Sequence, residues 1–300
     1  MRQMVSNVVQ QIREILRHQY SPASIVKEIF QNADDARAQQ VHIAWTDNWA
    51  DGAHPLLTSP AILVLNDGEF TEANAEAIGH VHEGSKGMDL AAIGKYGLGM
   101  KSVFHLCEGF FYLASENQPG IRRFDLITPW PSRGPHEAWA DISRAKKAIL
   151  ERLSGWRHDC NRWLCLVIPL RTREQLAGTE AIVQGEFPQI EEFLNGISIL
   201  QTTQMVPLMR SLKNITIWDW KSRSFCKKES LKLDFDEDGR CSFPRMGENK
   251  PKLICAKFVV GEAEEGIPSN EIRVVGQECL LKREEFQDLM DNPGWPNRWT

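Results

Sequence analysis

Residues 61–65, Ala-Ile-Leu-Val-Leu, form an unbroken apolar run that ends in Asn66-Asp67-Gly68. A strand with one wet face alternates apolar and polar side chains, so a continuous run predicts a buried strand. The Asn-Asp-Gly that follows is first a turn signal, because short polar side chains bond to nearby backbone and glycine accepts conformations closed to other residues. The same arrangement also places a polar side chain at the floor of a pocket. Gly68 there would permit the close approach of a flat ring.

Other segments fit around this strand. VHIAW (41–45) reads as a second strand, separated from the first by the polar loop TDNWADGAHPLLTSP. Upstream, Val8, Val9, Ile12, Ile15 and Leu16 recur at helical spacing. Ser21-Pro22 then opens a second helix, predicted to run to about Gln39, since serine caps well and proline fits a first turn. Residues 71–80 and 188–200 read as helical. Strands are expected at 121–127, 163–170, 214–220 and 253–260, and the pattern is strand-rich from about 210. The fold class is therefore α+β. A first domain is expected over 1–175, with 176–300 a strand-rich α+β extension or second domain. The ending GWPNRWT reads as the front of a longer protein.

Charge and cysteine usage narrow the function classes. The chain has 300 residues, 35 basic and 40 acidic, for a net charge of −5, which argues against a general nucleic-acid or anionic-membrane binder. No run approaches the ~18 apolar residues of a membrane span, and the amphipathic N-terminus lacks a signal-peptide core. Seven cysteines are scattered without a Cys-x-x-Cys pair, the usage of reduced thiols in a cytosolic protein. A cytoplasmic location is the expectation. The ten tryptophans are spread along the chain, as packing residues would be, and Trp45 and Trp49 are the pair whose loop can line a pocket rim.

Two further constellations carry chemistry. On a helical wheel Ile25, Val26, Ile29, Phe30, Ala33 and Ala36 form an apolar arc, while Glu28, Asn32 and Asp35 fall in a narrow sector at its edge. A carboxylate there can orient or deprotonate a water, and an asparagine oxygen is a suitable hard ligand for Mg²⁺. The plain alternative is a solvated helix edge. Further on, Gly94-Lys95-Tyr96-Gly97-Leu98-Gly99-Met100-Lys101-Ser102 places three glycines within six residues. Backbone N–H groups in such a segment can cradle phosphate oxygens, and the helix expected over 101–106 would favour an anion at its start. A flexible loop is the alternative. The segment is neither a Walker A loop nor a dinucleotide fingerprint, because Gly-Lys-Ser/Thr and the surrounding βαβ unit are missing.

Taken together, Glu-x-x-x-Asn-Ala-x-Asp-Ala, then Asn-Asp-Gly, then Gly-Lys-Tyr-Gly-x-Gly-x-Lys-Ser resembles the motif order of the GHKL ATPases. That superfamily comprises gyrase B, the 90-kDa heat-shock chaperone, histidine kinases and MutL. Residues 84–106 and WLCLVIPLR (163–171) look most like the sacsin-type branch. The resemblance covers 5–175 and implies a Bergerat fold, a two-layer α/β sandwich with a mixed sheet covered by helices. It also implies ATP and Mg²⁺ as ligands and slow hydrolysis. Glu28 would be the general base, Asn32 the Mg²⁺ ligand, and Asp35 a support for the nucleotide through water. Asn66, Asp67 and Gly68 would meet the adenine. Gly94, Lys95, Tyr96, Gly97, Leu98, Gly99, Met100, Lys101 and Ser102 would contact the phosphates. Residues 83–95, with Ser85 and Lys86, would form a lid. Relatives commonly carry aspartate where this chain has Asn66, and an amide can donate as well as accept. The implied partners are ATP, another protein or downstream domains, and a second copy in a nucleotide-dependent homodimer; nucleic acid and membrane are not implied. The competing reading is an interaction scaffold that keeps the fold without turnover.

Overall fold

The computed structural model describes residues 7–18, 24–49, 52–79, 99–154, 156, 160–177, 181–183, 209–232, 240–243, 253–260 and 270–277. The chain divides into two compact units, 1–233 and 234–300. In the second, β8 (Arg240–Phe243), β9 (Leu253–Val260) and β10 (Asn270–Gln277) form an antiparallel sheet with β9 in the middle.

The first unit is built on a seven-stranded mixed sheet in the order β4-β3-β5-β2-β1-β6-β7. Its strands are β1 (Gln40–Thr46), β2 (Ala61–Asn66), β3 (Phe110–Ala114), β4 (Phe124–Ile127), β5 (Leu164–Pro169), β6 (Asn214–Lys221) and β7 (Ser224–Lys232). All neighbours are antiparallel except β1 and β6. The apolar run is the central strand β2, and all six of its residues are buried. Strands from 214–232 thus continue the sheet whose centre lies at residues 61–66.

Helices lie on both faces of β2. Leu63 and Leu65 share one core with Phe111, Leu113, Cys165 and Val167 and with Ala145, Ile149 and Leu153. The last three are spaced by four residues on α4 (Ser143–Leu153), so one stripe of that helix covers this face. A strict two-layer sandwich leaves it uncovered; here the alternate apolar residues of β2, β3 and β5 require the extra cover. Trp49 sits in this core, 5% exposed, with its indole N–H donating to the Ala148 carbonyl at 3.3 Å, so it packs rather than lining a rim.

The opposite face carries α1 (Val8–His18), α2 (Ser24–Asp35) and the 3-10 helix Gly99–His105, which contacts both. Ile25, Val26, Ile29, Phe30 and Ala33 of α2 are all buried, as the apolar arc predicts. The helix stops at Asp35, short of the expected Gln39. Arg37 takes a left-handed φ of 59°, its N–H bonds the Asp34 carbonyl at 2.8 Å, and the Ala38 N–H bonds the Ala33 carbonyl at 2.9 Å. This is a Schellman termination with arginine where glycine is usual. Asp34, 4% exposed, then accepts from the backbone N–H groups of Arg210, Ser211 and Leu212 at 3.0, 2.7 and 2.9 Å. Three backbone donors on one carboxylate fix where the returning chain enters β6, beside β1. No helix among the described residues is long and apolar enough to cross a membrane.

Candidate functional site

A cavity of about 440 Å³ opens between α2 and the sheet. One wall is the polar edge of α2, with Glu28, Asn32 and Asp35; the floor is Val64 and Asn66 of β2 with Leu164 and Leu166 of β5. Phe70, Thr71 and Asn74 close one end, and Gly99 and Met100 also line it. The alternation of β2 explains the division: residues 63 and 65 face α4, while 64 and 66 face the cavity.

The carboxyl of Glu28 is seated against the backbone of Gly99. A Cβ at that glycine would stand 2.6 Å from Glu28 Cδ and still closer to one carboxylate oxygen, so no other residue fits without displacing Glu28. Asn32 lines the same cavity, and its Nδ2 is buried with no hydrogen-bond partner. A buried amide without a partner is costly and is the kind of group a polar ligand satisfies. The helical stripe of the sequence is therefore a cavity wall, not a solvated edge.

The turn after β2 is arranged differently from the expectation. Asn66 lines the cavity, but its Oδ1 accepts the Gly68 N–H at 3.0 Å. Asp67 points its Oδ1 to the backbone N–H groups of Gln39 and Gln40, at 2.8 and 3.0 Å, and is not part of the cavity wall. The space a Cβ would need at Gly68 holds Ala36, with its Cβ at 2.9 Å and its carbonyl oxygen at 3.0 Å. Gly68 thus serves the close packing of the α2 terminus, which the Glu69 N–H cements through the Ala36 carbonyl at 2.9 Å. Gln118, 2% exposed, locks the loop from the other side: its amide N–H donates to the Gly68 carbonyl at 2.8 Å, and its oxygen accepts the Phe70 N–H at 2.9 Å.

Lys101 and Ser102 do not line the cavity. Ser102 is fully buried, with a hydroxyl that has no partner. The Lys101 ammonium, 2% exposed, bonds the Ile78 carbonyl in the last turn of α3 (Glu72–Gly79), where a cation complements the helix dipole. Burial lowers its pKa from the ordinary 10.5 to about 8. Below pH 8 the group is charged in both folded and unfolded chains and its burial is a full cost. Between about pH 8 and 10.5 the unfolded chain binds more protons, so this group makes stability rise with pH. Urea midpoints measured from pH 8 to 10 should show a rise in the wild type that Lys101→Met flattens; equal slopes in the two would contradict it. Ser85, Lys86, Gly94, Lys95, Tyr96, Gly97 and Leu98, with the expected lid 83–95, lie outside the described residues.

Three contributors were not read from the sequence. Asn74 caps the start of α3, its Oδ1 accepting from the N–H and hydroxyl of Thr71 at 2.8 and 2.7 Å; Thr-x-x-Asn ahead of a helix was the available signal. Arg171, 1% exposed, pairs through Nε with buried Glu108 and donates to the carbonyls of His105, Phe104 and Cys107 at 2.9, 2.8 and 3.0 Å. Glu108 also accepts from the Trp130 indole N–H at 2.8 Å and the Ile182 N–H at 3.1 Å. This network ties the end of the 3-10 helix that begins at Gly99. A lone glutamate inside the apolar run VFHLCEGFFYLA was the one hint of it.

Residues 5–119 match the family model described as the sacsin domain. Sacsin of Homo sapiens is 32% identical over 103 residues, which is 32% of this chain and 2% of sacsin. The chain is therefore similar to a small part of that relative's length. The matched stretch holds α1, α2, β1, β2, α3 and β3, and with them every cavity residue named above except Leu164 and Leu166.

Proposed function

We propose that the cavity between α2 and β2 is a nucleotide site of the GHKL type that binds Mg·ATP and hydrolyses it slowly, as a module related to the 90-kDa heat-shock chaperone. The observation that carries this reading is Glu28, a carboxylate on the cavity wall held against a glycine whose Cβ would expel it. The unpaired Asn32 amide one turn along supports it, and so does the likeness to the sacsin domain. In this chemistry Glu28 orients a water and takes its proton as the water oxygen attacks the terminal phosphorus. The bond from that phosphorus to the bridging oxygen breaks and ADP leaves with that oxygen. Asn32 would hold Mg²⁺ together with the phosphates, and the ion would neutralise phosphate charge when bound. Closure of residues 83–95 over the nucleotide would bias the conformation of the protein or its self-association, and hydrolysis would reset it.

A scaffold that binds nucleotide without turnover is favoured by one observation, the engagement of Asn66 Oδ1 within its own turn. Phosphate release separates the two. Release by the wild type that is lost in Glu28→Ala supports the enzyme, whereas binding without release from either protein supports the scaffold.

A further inference from the structure

Two amide assignments at the cavity, those of Asn66 and Asn74, are fixed by backbone N–H groups that take the side-chain oxygen. Asn66, 6% exposed, must present Oδ1 to the Gly68 N–H, since the reverse orientation would set two donors face to face. Gln118 and Ala36 hold Gly68 in place, so this orientation is not free to invert. Nδ2 is then the end of Asn66 left to meet a ligand, and no protein partner for it is found among the described residues. Asn74 repeats the pattern at the end of the cavity, its Oδ1 already accepting two bonds from Thr71. Asn32 adds a buried Nδ2 without a partner. Asn66 and Asn74 thus both commit their oxygens within the protein, and Asn66 is the one of them on the cavity floor.

A carboxylate at position 66 would accept the exocyclic amine of a 6-aminopurine. The Asn66 N–H instead meets that amine donor to donor, and pairs with the carbonyl of a 6-oxopurine. We infer that the base subsite is built for 6-oxopurine nucleotides, inosine or guanosine triphosphate, at least as well as for ATP. The inference rests on the nucleotide reading above and adds the class of base to it.

The test compares calorimetric affinities of Mg·ATP and Mg·ITP, which differ at the 6-position of the ring and in the protonation of N1, for wild type and Asn66→Asp. One neutral hydrogen bond gained, against one donor left facing a donor, corresponds to roughly 3- to 10-fold. The expected result is ITP favoured by about that factor in the wild type and ATP favoured in Asn66→Asp, where the carboxylate still accepts the Gly68 N–H. A wild type that prefers ATP to ITP overturns the inference and leaves the nucleotide site standing. A ratio unchanged by Asn66→Asp overturns it as well. Binding of neither nucleotide overturns the nucleotide reading itself, and this inference with it.

Discussion

Gly99→Ala is expected to abolish nucleotide turnover as completely as Glu28→Ala, although the added group is one methyl and carries no charge. The methyl would stand 2.6 Å from Glu28 Cδ, well inside contact distance, and it is the carboxylate that must move. A misplaced general base forfeits the factor of about 10² to 10⁴ that proton transfer contributes, because transfer requires hydrogen-bond reach. The two substitutions act on one group, so the double variant should be no slower than either single one. Single-turnover phosphate release on the three variants is the check. Gly99→Ala with wild-type release would show that the contact between Gly99 and Glu28 has no part in the chemistry.

Arg171→Ala should be among the most destabilising single substitutions in the first unit, at about 3–5 kcal/mol, because it leaves the Glu108 carboxylate buried without its counter-charge. It also removes the donors of three backbone carbonyls at the end of the 3-10 helix. Small proteins are stable by about 5–15 kcal/mol, so this loss is a large share of the total. Arg171→Lys should recover only part of it, since one ammonium cannot span a carboxylate and three carbonyls as a planar guanidinium does. Urea unfolding curves of wild type and both variants measure this. A loss below about 1 kcal/mol for Arg171→Ala would mean that the network holds without its cation.

Features set by local pattern were legible in the sequence. The unbroken run at 61–65 announced the central strand, and the stripe Glu28, Asn32, Asp35 announced the helix edge that became the cavity wall. The strands expected at 163–170, 214–220 and 253–260 are β5, β6 and β9 within a residue at either end. Features set by distant partners were not legible. Asp34 meets residues 176 to 178 positions away, and Arg171 meets carbonyls 64 to 67 positions away, and no local spacing encodes such pairs. Packing at the glycines was not legible either: Ala36 stands where a Cβ of Gly68 would be, and the carboxyl of Glu28 stands where a Cβ of Gly99, read as a phosphate-cradling glycine, would be. Lys101 illustrates a third cause. A lysine in a glycine-rich segment suits a phosphate equally well on paper, but here its ammonium is committed to the Ile78 carbonyl at the end of α3 and does not line the cavity.

The central claim is that Mg·ATP occupies the cavity between α2 and β2. Amide hydrogen exchange across the whole chain, with and without saturating Mg·ATP, tests it most directly. The account predicts protection concentrated in residues 28–37 of α2 and its terminus and in residues 64–74 from β2 into α3, with little change in β7 or α4. Exchange that is unaltered by the nucleotide, or protection that falls elsewhere and spares those two stretches, would contradict it.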